Sequence, residues 1–199
     1  MTINGKVGSF TRNEERAGVP GHGPVILAGL VAAAAGVYAT GLLLTRSLAN
    51  ILAPLAVIAA EVLGAGDGAT KDFTGNLAAG QPVEPGTVVV TDGVETFADD
   101  GSGRLVGDAG GSGTVNYKTG AIAVSFNANV VDQTDVTVDY ITAIDGVLDE
   151  EIDTAESQAC LYVGHGTVDS NVLKVGQDDQ AEPSAALLML LQKHGIYPK

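Results

Sequence analysis

Apolar positions along this chain fall into three regimes, each predicting a different kind of structure. The first is PVILAGLVAAAAGVYATGLLL (24–44), which carries no charge, continued by SLANILAPLAVIAAEVLG (47–64). An uncharged run of this length meets the threshold for a membrane-spanning helix. Against a helix stand Gly29, Gly36 and Gly41, and the stretch 37–41 reads as a turn into Leu42-Leu43-Leu44. Two buried strands around a glycine turn are expected, with a membrane span as the alternative. Pro54 argues against one continuous helix over 47–64. Periodicity leaves 55–63 as either a short helix or a strand.

The second regime starts at Gly64, where short β-branched runs alternate with Gly, Asp and Asn. Strands are predicted near 71–77, 86–91, 94–98, 113–117, 121–126 and 136–141. Asp92-Gly93 between two such runs is a strong hairpin signal, and Lys118-Thr119-Gly120 suits a three-residue hairpin with Gly in the left-handed position. Residues 64–141 are therefore expected to form a compact all-β sandwich or barrel. In the third regime, 144–168 predicts a core hairpin of two strands joined by an acidic loop. Leu161 and Val163 should point one way, and Cys160, Tyr162 and Gly164 the other. Glu182-Pro183-Ser184 predicts a helix start over ALLMLLQK, with Pro in the first turn. His194 and Gly195 supply the stop. The expected fold class is mainly β with a short C-terminal helix. A small domain from 24–63 and 142–199 would be interrupted by the 64–141 module and preceded by a flexible arm, 1–23.

Composition sharpens this picture. Twenty-seven glycines, against an average usage of about 7%, imply many turns and short strands. Residues 1–61 carry four basic and three acidic side chains, 62–142 three and eleven, and 143–199 three and ten, giving −14 in all. That balance argues against nucleic acid, whose phosphates require clustered Lys and Arg. The N-terminus lacks the layout of a signal peptide. One cysteine, Cys160, excludes an intrachain disulfide, and its apolar surroundings predict a buried, inert thiol.

Candidate chemistry is thin. The acids Asp149, Glu150, Glu151 and Asp153 are expected to form a solvated loop, since calcium requires six to eight converging oxygens. Asp99, Asp100 and Asp108 sit among glycines without EF-hand spacing. His165 is a possible base, but no G-x-S-x-G motif exists and Cys160 lies on the same segment. His22, His165 and His194 show no zinc-ligand spacing. No catalytic residue, metal or cofactor is expected.

Four pieces together resemble the lambda-type head decoration proteins of tailed bacteriophages: GVYATGLLLTR (36–46), IDGVLDEEIDT (144–154), CLYVGHGTVDSNVL (160–173) and LLQKHGIYP (190–198). Residues 64–141 depart from that pattern and look like an inserted phage-type β-module, through GDGATKDFTG, PVEPGTVVVTDG, FADDGSGRL and GTVNYKTGAIAVSF. The resemblance implies a non-enzymatic, homotrimeric cement protein on the outer surface of the virion capsid. It also implies an N-terminal arm gripping the major capsid protein. Val7, Phe10, Arg12, Arg16, Val19 and Pro20 are the candidate capsid contacts in that arm. A carbohydrate-binding or adhesive β-module is the alternative, which exposed rings among Phe73, Phe97, Tyr117, Phe126 and Tyr140 would favour.

Overall fold

The computed structural model describes residues 17–18, 21–79, 82–177 and 180–199. The chain is mainly β with one short helix, as its patterning predicts. Strands β1 (Val25–Leu30), β2 (Val37–Tyr38), β3 (Leu43–Arg46) and β4 (Leu52–Pro54) come first. Next are β5 (Val57–Ala65), β6 (Asp72–Asn76), β7 (Val89–Thr91), β8 (Thr96–Asp99), β9 (Arg104–Gly107), β10 (Ser112–Val115), β11 (Ala121–Ser125) and β12 (Asp135–Ile141). The chain ends with β13 (Gly146–Leu148), β14 (Ile152–Asp153), β15 (Ala159–Val168), the helix α1 (Ala185–Lys193) and β16 (Ile196–Pro198).

Strands β5 to β12 form a nearly closed, barrel-like sheet in the order β5-β12-β7-β8-β9-β10-β11-β6. The strict alternation along β11 and β12 places Ile122, Val124, Val136, Val138 and Tyr140 inside. Phe126 anchors the interior, with Phe97 edge-on at 4.9 Å and Phe73 at 5.8 Å, the T-shaped geometry that ring quadrupoles favour. The first and last strands, β5 and β6, share no ladder, so side chains fill the seam between them. Glu61 accepts the Tyr140 hydroxyl at 2.6 Å and the Ala78 N–H at 2.8 Å. Gly75 leaves room for Leu63, whose Cδ1 would sit 2.7 Å from any Cβ added there.

Of residues 55–63, all from Val57 onward are strand, and β5 begins before the composition shift, so Gly64 lies inside the sheet. Strand β9 escapes the sequence reading because RLVG offers only two apolar residues. The Asp92-Gly93 turn is a longer loop than a two-residue hairpin, with Asp92 Oδ1 accepting the N–H groups of Val94 and Glu95. Gly120 takes the left-handed conformation, φ 74°, in the loop between β10 and β11.

The second sheet runs β1-β15-β13-β3-β4, with β16 parallel to the far half of β15. The expected core hairpin is present: Val147 pairs with Val163 and Leu148 with Tyr162. The middle of this sheet is buried on both faces. Consecutive residues Leu43 and Leu44, Val147 and Leu148, and Tyr162 and Val163 divide between two separate apolar clusters. One cluster is covered by α1 through Leu187 and Leu191. Ser184 caps the helix, its Oγ accepting the Leu187 N–H, so Pro183 precedes the cap instead of occupying the first turn. Gly195, at φ 76°, ends it.

Of the run 24–44, Leu42, Leu43 and Leu44 are buried as expected, but β1 is mostly exposed. No helix among the described residues is long and apolar enough to cross a membrane.

Glu95 is 3% exposed at one end of the barrel. Its carboxylate accepts the Gly111 N–H at 2.6 Å and the Asn127 N–H at 2.7 Å, tying three turns together. Glu95→Ala strands both donors in a buried site and should cost about 2–4 kcal/mol, read by urea denaturation against Val94→Ala as control. A second expectation concerns alkaline pH. Burial, and then the Glu61 hydrogen bond, push the Tyr140 phenol up to about 12; burial, and then the Asp99 hydrogen bond, do the same for Tyr117. The unfolded chain releases these protons first, near the ordinary value of 10.0. Stability should therefore hold below about pH 10 and fall between about pH 10 and 12. Thermal midpoints measured across that range should decline less steeply in Tyr140→Phe.

Candidate interaction surface

Strand β1 stands at the edge of its sheet, pairing with β15 through Ile26↔Val163, Leu27↔Tyr162, Ala28↔Leu161, Gly29↔Cys160 and Leu30↔Ala159. Alternation puts Ile26, Ala28 and Leu30 on one face with Leu161 and Ala159. Leu27 and Gly29 lie on the other, with Tyr162 and Cys160. On the first face Leu30 is 52% exposed, Leu161 40% and Ile26 37%; on the second Leu27 is 41%. Single exposed apolar residues are ordinary, but a contiguous strip of them marks a contact surface. Past its end, Val31 bridges to Leu52 on β4. Gly29 allows Leu52 to lie against the strand, where any Cβ would overlap the leucine.

Beside this strip, Arg46 makes a bidentate pair with Asp145 at 3.0 and 2.9 Å, and its Nη2 donates to the Tyr162 hydroxyl at 2.6 Å. The Asp145 hydrogen bond is the main cause of the raised Arg46 pKa, while burial is the main cause for Tyr162. Cys160 is 6% exposed, and burial pushes its thiol up, which disfavours the reactive thiolate. His165 lies five residues along the same extended strand, roughly 16 Å away at strand rise, too far for a nucleophile–base pair. Its ring meets His22 edge-on at 4.8 Å, and Tyr197 at 6.1 Å.

The acidic loop 149–158 is not uniformly solvated as expected. Asp149 is 1% exposed. Its Oδ1 accepts the Gly18 N–H at 3.0 Å, and its carbonyl accepts the Ala17 N–H. Ala17 is fully buried in the cluster beneath α1. The acid is therefore a clamp that fixes the chain as it enters the fold. Within the same loop, β14 pairs with β2, and Asp153 Oδ1 accepts the Ala155 N–H.

The carboxylates of the 99–108 region are likewise engaged by the protein. Asp99 accepts the Tyr117 hydroxyl at 2.5 Å and the N–H groups of Gly86 and Gly101. Asp108 accepts the Thr96 N–H. Hydrogen bonds from Ser102 hold Asp100 below the usual carboxylate range. No group of three or more His, Cys, Asp or Glu side chains is placed to hold a metal among the described residues. Phe73, Phe97, Phe126 and Tyr140 all face the barrel interior, and Tyr117 packs against that core with its hydroxyl bonded. The arm candidates Val7, Phe10, Arg12, Arg16, Val19 and Pro20 lie outside the described residues.

Sequence reasoning missed both the exposure of β1 and the clamp at Asp149. The one local signal for the first was the absence of charge. The second had none, because Gly18 and Asp149 are distant in the chain. Comparison of the chain with family models, with curated proteins and with solved structures gives no match.

Asp149→Ala leaves the Gly18 N–H without its acceptor and should cost about 1–3 kcal/mol. Limited trypsin digestion should then cut after Arg16 faster than in the parent chain, with the fragments read by mass spectrometry.

Proposed function

We propose that this chain is a structural, non-enzymatic virion protein that binds the outer surface of a bacteriophage capsid and stabilises it. In this reading it acts as a homotrimer, and its partner is the major capsid protein. The observation that supports the reading best is the exposed, charge-free strand β1 beside a clamped N-terminal segment, on a chain that is otherwise strongly acidic. An apolar strip for protein contact and an acidic remainder that stays in water are what an attachment protein requires. The clamp at Ala17 and Gly18 gives the preceding arm a fixed root, from which Val7, Phe10, Arg12 and Arg16 can reach a partner. The engaged carboxylates and the distance between Cys160 and His165 speak for assembly over catalysis. Ring stacking on a glycan draws on exposed aromatics, and the barrel's five rings are committed to its core or to Asp99, so the adhesive alternative has less behind it.

The clamp also decides where the arm can be cut. Removing residues 1–16 spares the buried Ala17, so the truncated chain should keep its thermal midpoint. It should fail to co-sediment with capsids of the parent phage that lack the decoration protein. A truncated chain that still co-sediments like the full one removes the arm from the mechanism, and a full chain that does not co-sediment overturns the reading.

A further inference from the structure

We infer that β1 is the surface through which copies of this chain meet, strand edge and apolar strip together. The inference rests on the self-associating part of the function proposed above, and names the contact. Three observations carry it.

The first is the open backbone edge. Along Val25–Leu30, β1 is hydrogen-bonded to β15 alone among the described residues, and the bridge from Val31 to Leu52 lies beyond its end. Soluble proteins protect such an edge with charged side chains, a proline within the strand, or a covering element. Here the strand is VILAGL, Leu161 and Ala159 flank it, and none of these is charged.

The second is shape. Ala28 and Ala159 are small, so a neighbouring backbone can approach closely between the larger Ile26, Leu30 and Leu161.

The third selects the occupant. The chain carries −14, so two copies repel over most of their surface, and like charges placed face to face suppress association. Residues 24–44 carry no charge, and a neutral apolar strip is complementary to itself. A partner recognised through charge would instead engage the acidic surface elsewhere. A second copy of this chain is therefore the occupant that fits β1.

Such an interface has a distinctive salt response. Salt screens the repulsion between acidic copies and leaves the apolar contact in place, so association should tighten between 50 and 500 mM NaCl, both about the range in which screening changes most. Sedimentation velocity of the full chain over a concentration series reads this directly. The wild type should form an oligomer, and Leu30→Asp should raise the concentration for half-association at least about tenfold, a factor worth ~1.4 kcal/mol. Leu30→Lys should do the same, although it lowers the net negative charge, which separates loss of the contact from added repulsion. Val94→Asp, on the exposed β7–β8 turn, should leave association unchanged. Hydrogen exchange on the unmodified chain gives a variant-free check: β1 amides should be protected at high concentration and lose protection on dilution.

A wild type that stays monomeric throughout overturns the inference, as does an oligomer indifferent to both Leu30 substitutions or β1 exchange that ignores concentration. A monomer that still binds capsids sinks the inference and the homotrimer with it, and spares the capsid attachment. Self-association through β1 without capsid binding does the reverse.

Discussion

The rest of the structure depends on the antiparallel pairing of β13 with β15. These strands sit in the middle of a sheet that is covered on both sides, so their successive residues serve two different cores. Tyr162 and Leu148 belong to one apolar cluster, Val163 and Val147 to the other. A shift of one residue in this register would exchange the clusters and place every side chain against the wrong neighbours. The same strand β15 then carries β1 along one half and β16 along the other, while Val168 bridges to Gly18. One register thus positions the edge strand, the C-terminus and the root of the N-terminal segment.

Charge follows this architecture. The barrel and the acidic loop spend much of their carboxylate on the backbone: Glu95, Asp99, Asp108 and Asp149 each accept at least one main-chain N–H. Glu84 works between the two sheets, its Oε2 accepting the Ile144 N–H and its Oε1 lying 2.7 Å from His194 Nε2 at the end of α1. In a protein with few aromatic residues and many glycine turns, such acceptors fix loops that apolar packing does not reach. The high acid content therefore has an internal use as well as a solvating one.

Much of the fold was legible in the sequence because its signals are local. Alternation in AIAVS and DVTVDYI marks β11 and β12, and Ser184 with Gly195 brackets α1. The unread parts are those decided by distant partners. Nothing within VILAGL says that its strand stands last in its sheet, so exposure could not be separated from burial. Asp149 looked like its acidic neighbours, since what distinguishes it is a glycine at the other end of the chain. Strand β9 was hidden by brevity, and β5 by an apolar run that suits helix and strand equally.

The barrel leaves the second sheet and returns to it at a single place. The Thr142 N–H donates to the Ala56 carbonyl, and the Thr142 hydroxyl accepts the Ala56 N–H. Val57 and Ile141 pair just beyond them. The two ends of the excursion are thus neighbouring rungs of one ladder. A segment joined in this way can be lengthened, exchanged or pared back to a turn without separating the strands that receive it. The geometry at Ala56 and Thr142 is that of an insertion socket, through which a small β protein can acquire a second β sheet while its own core keeps its register.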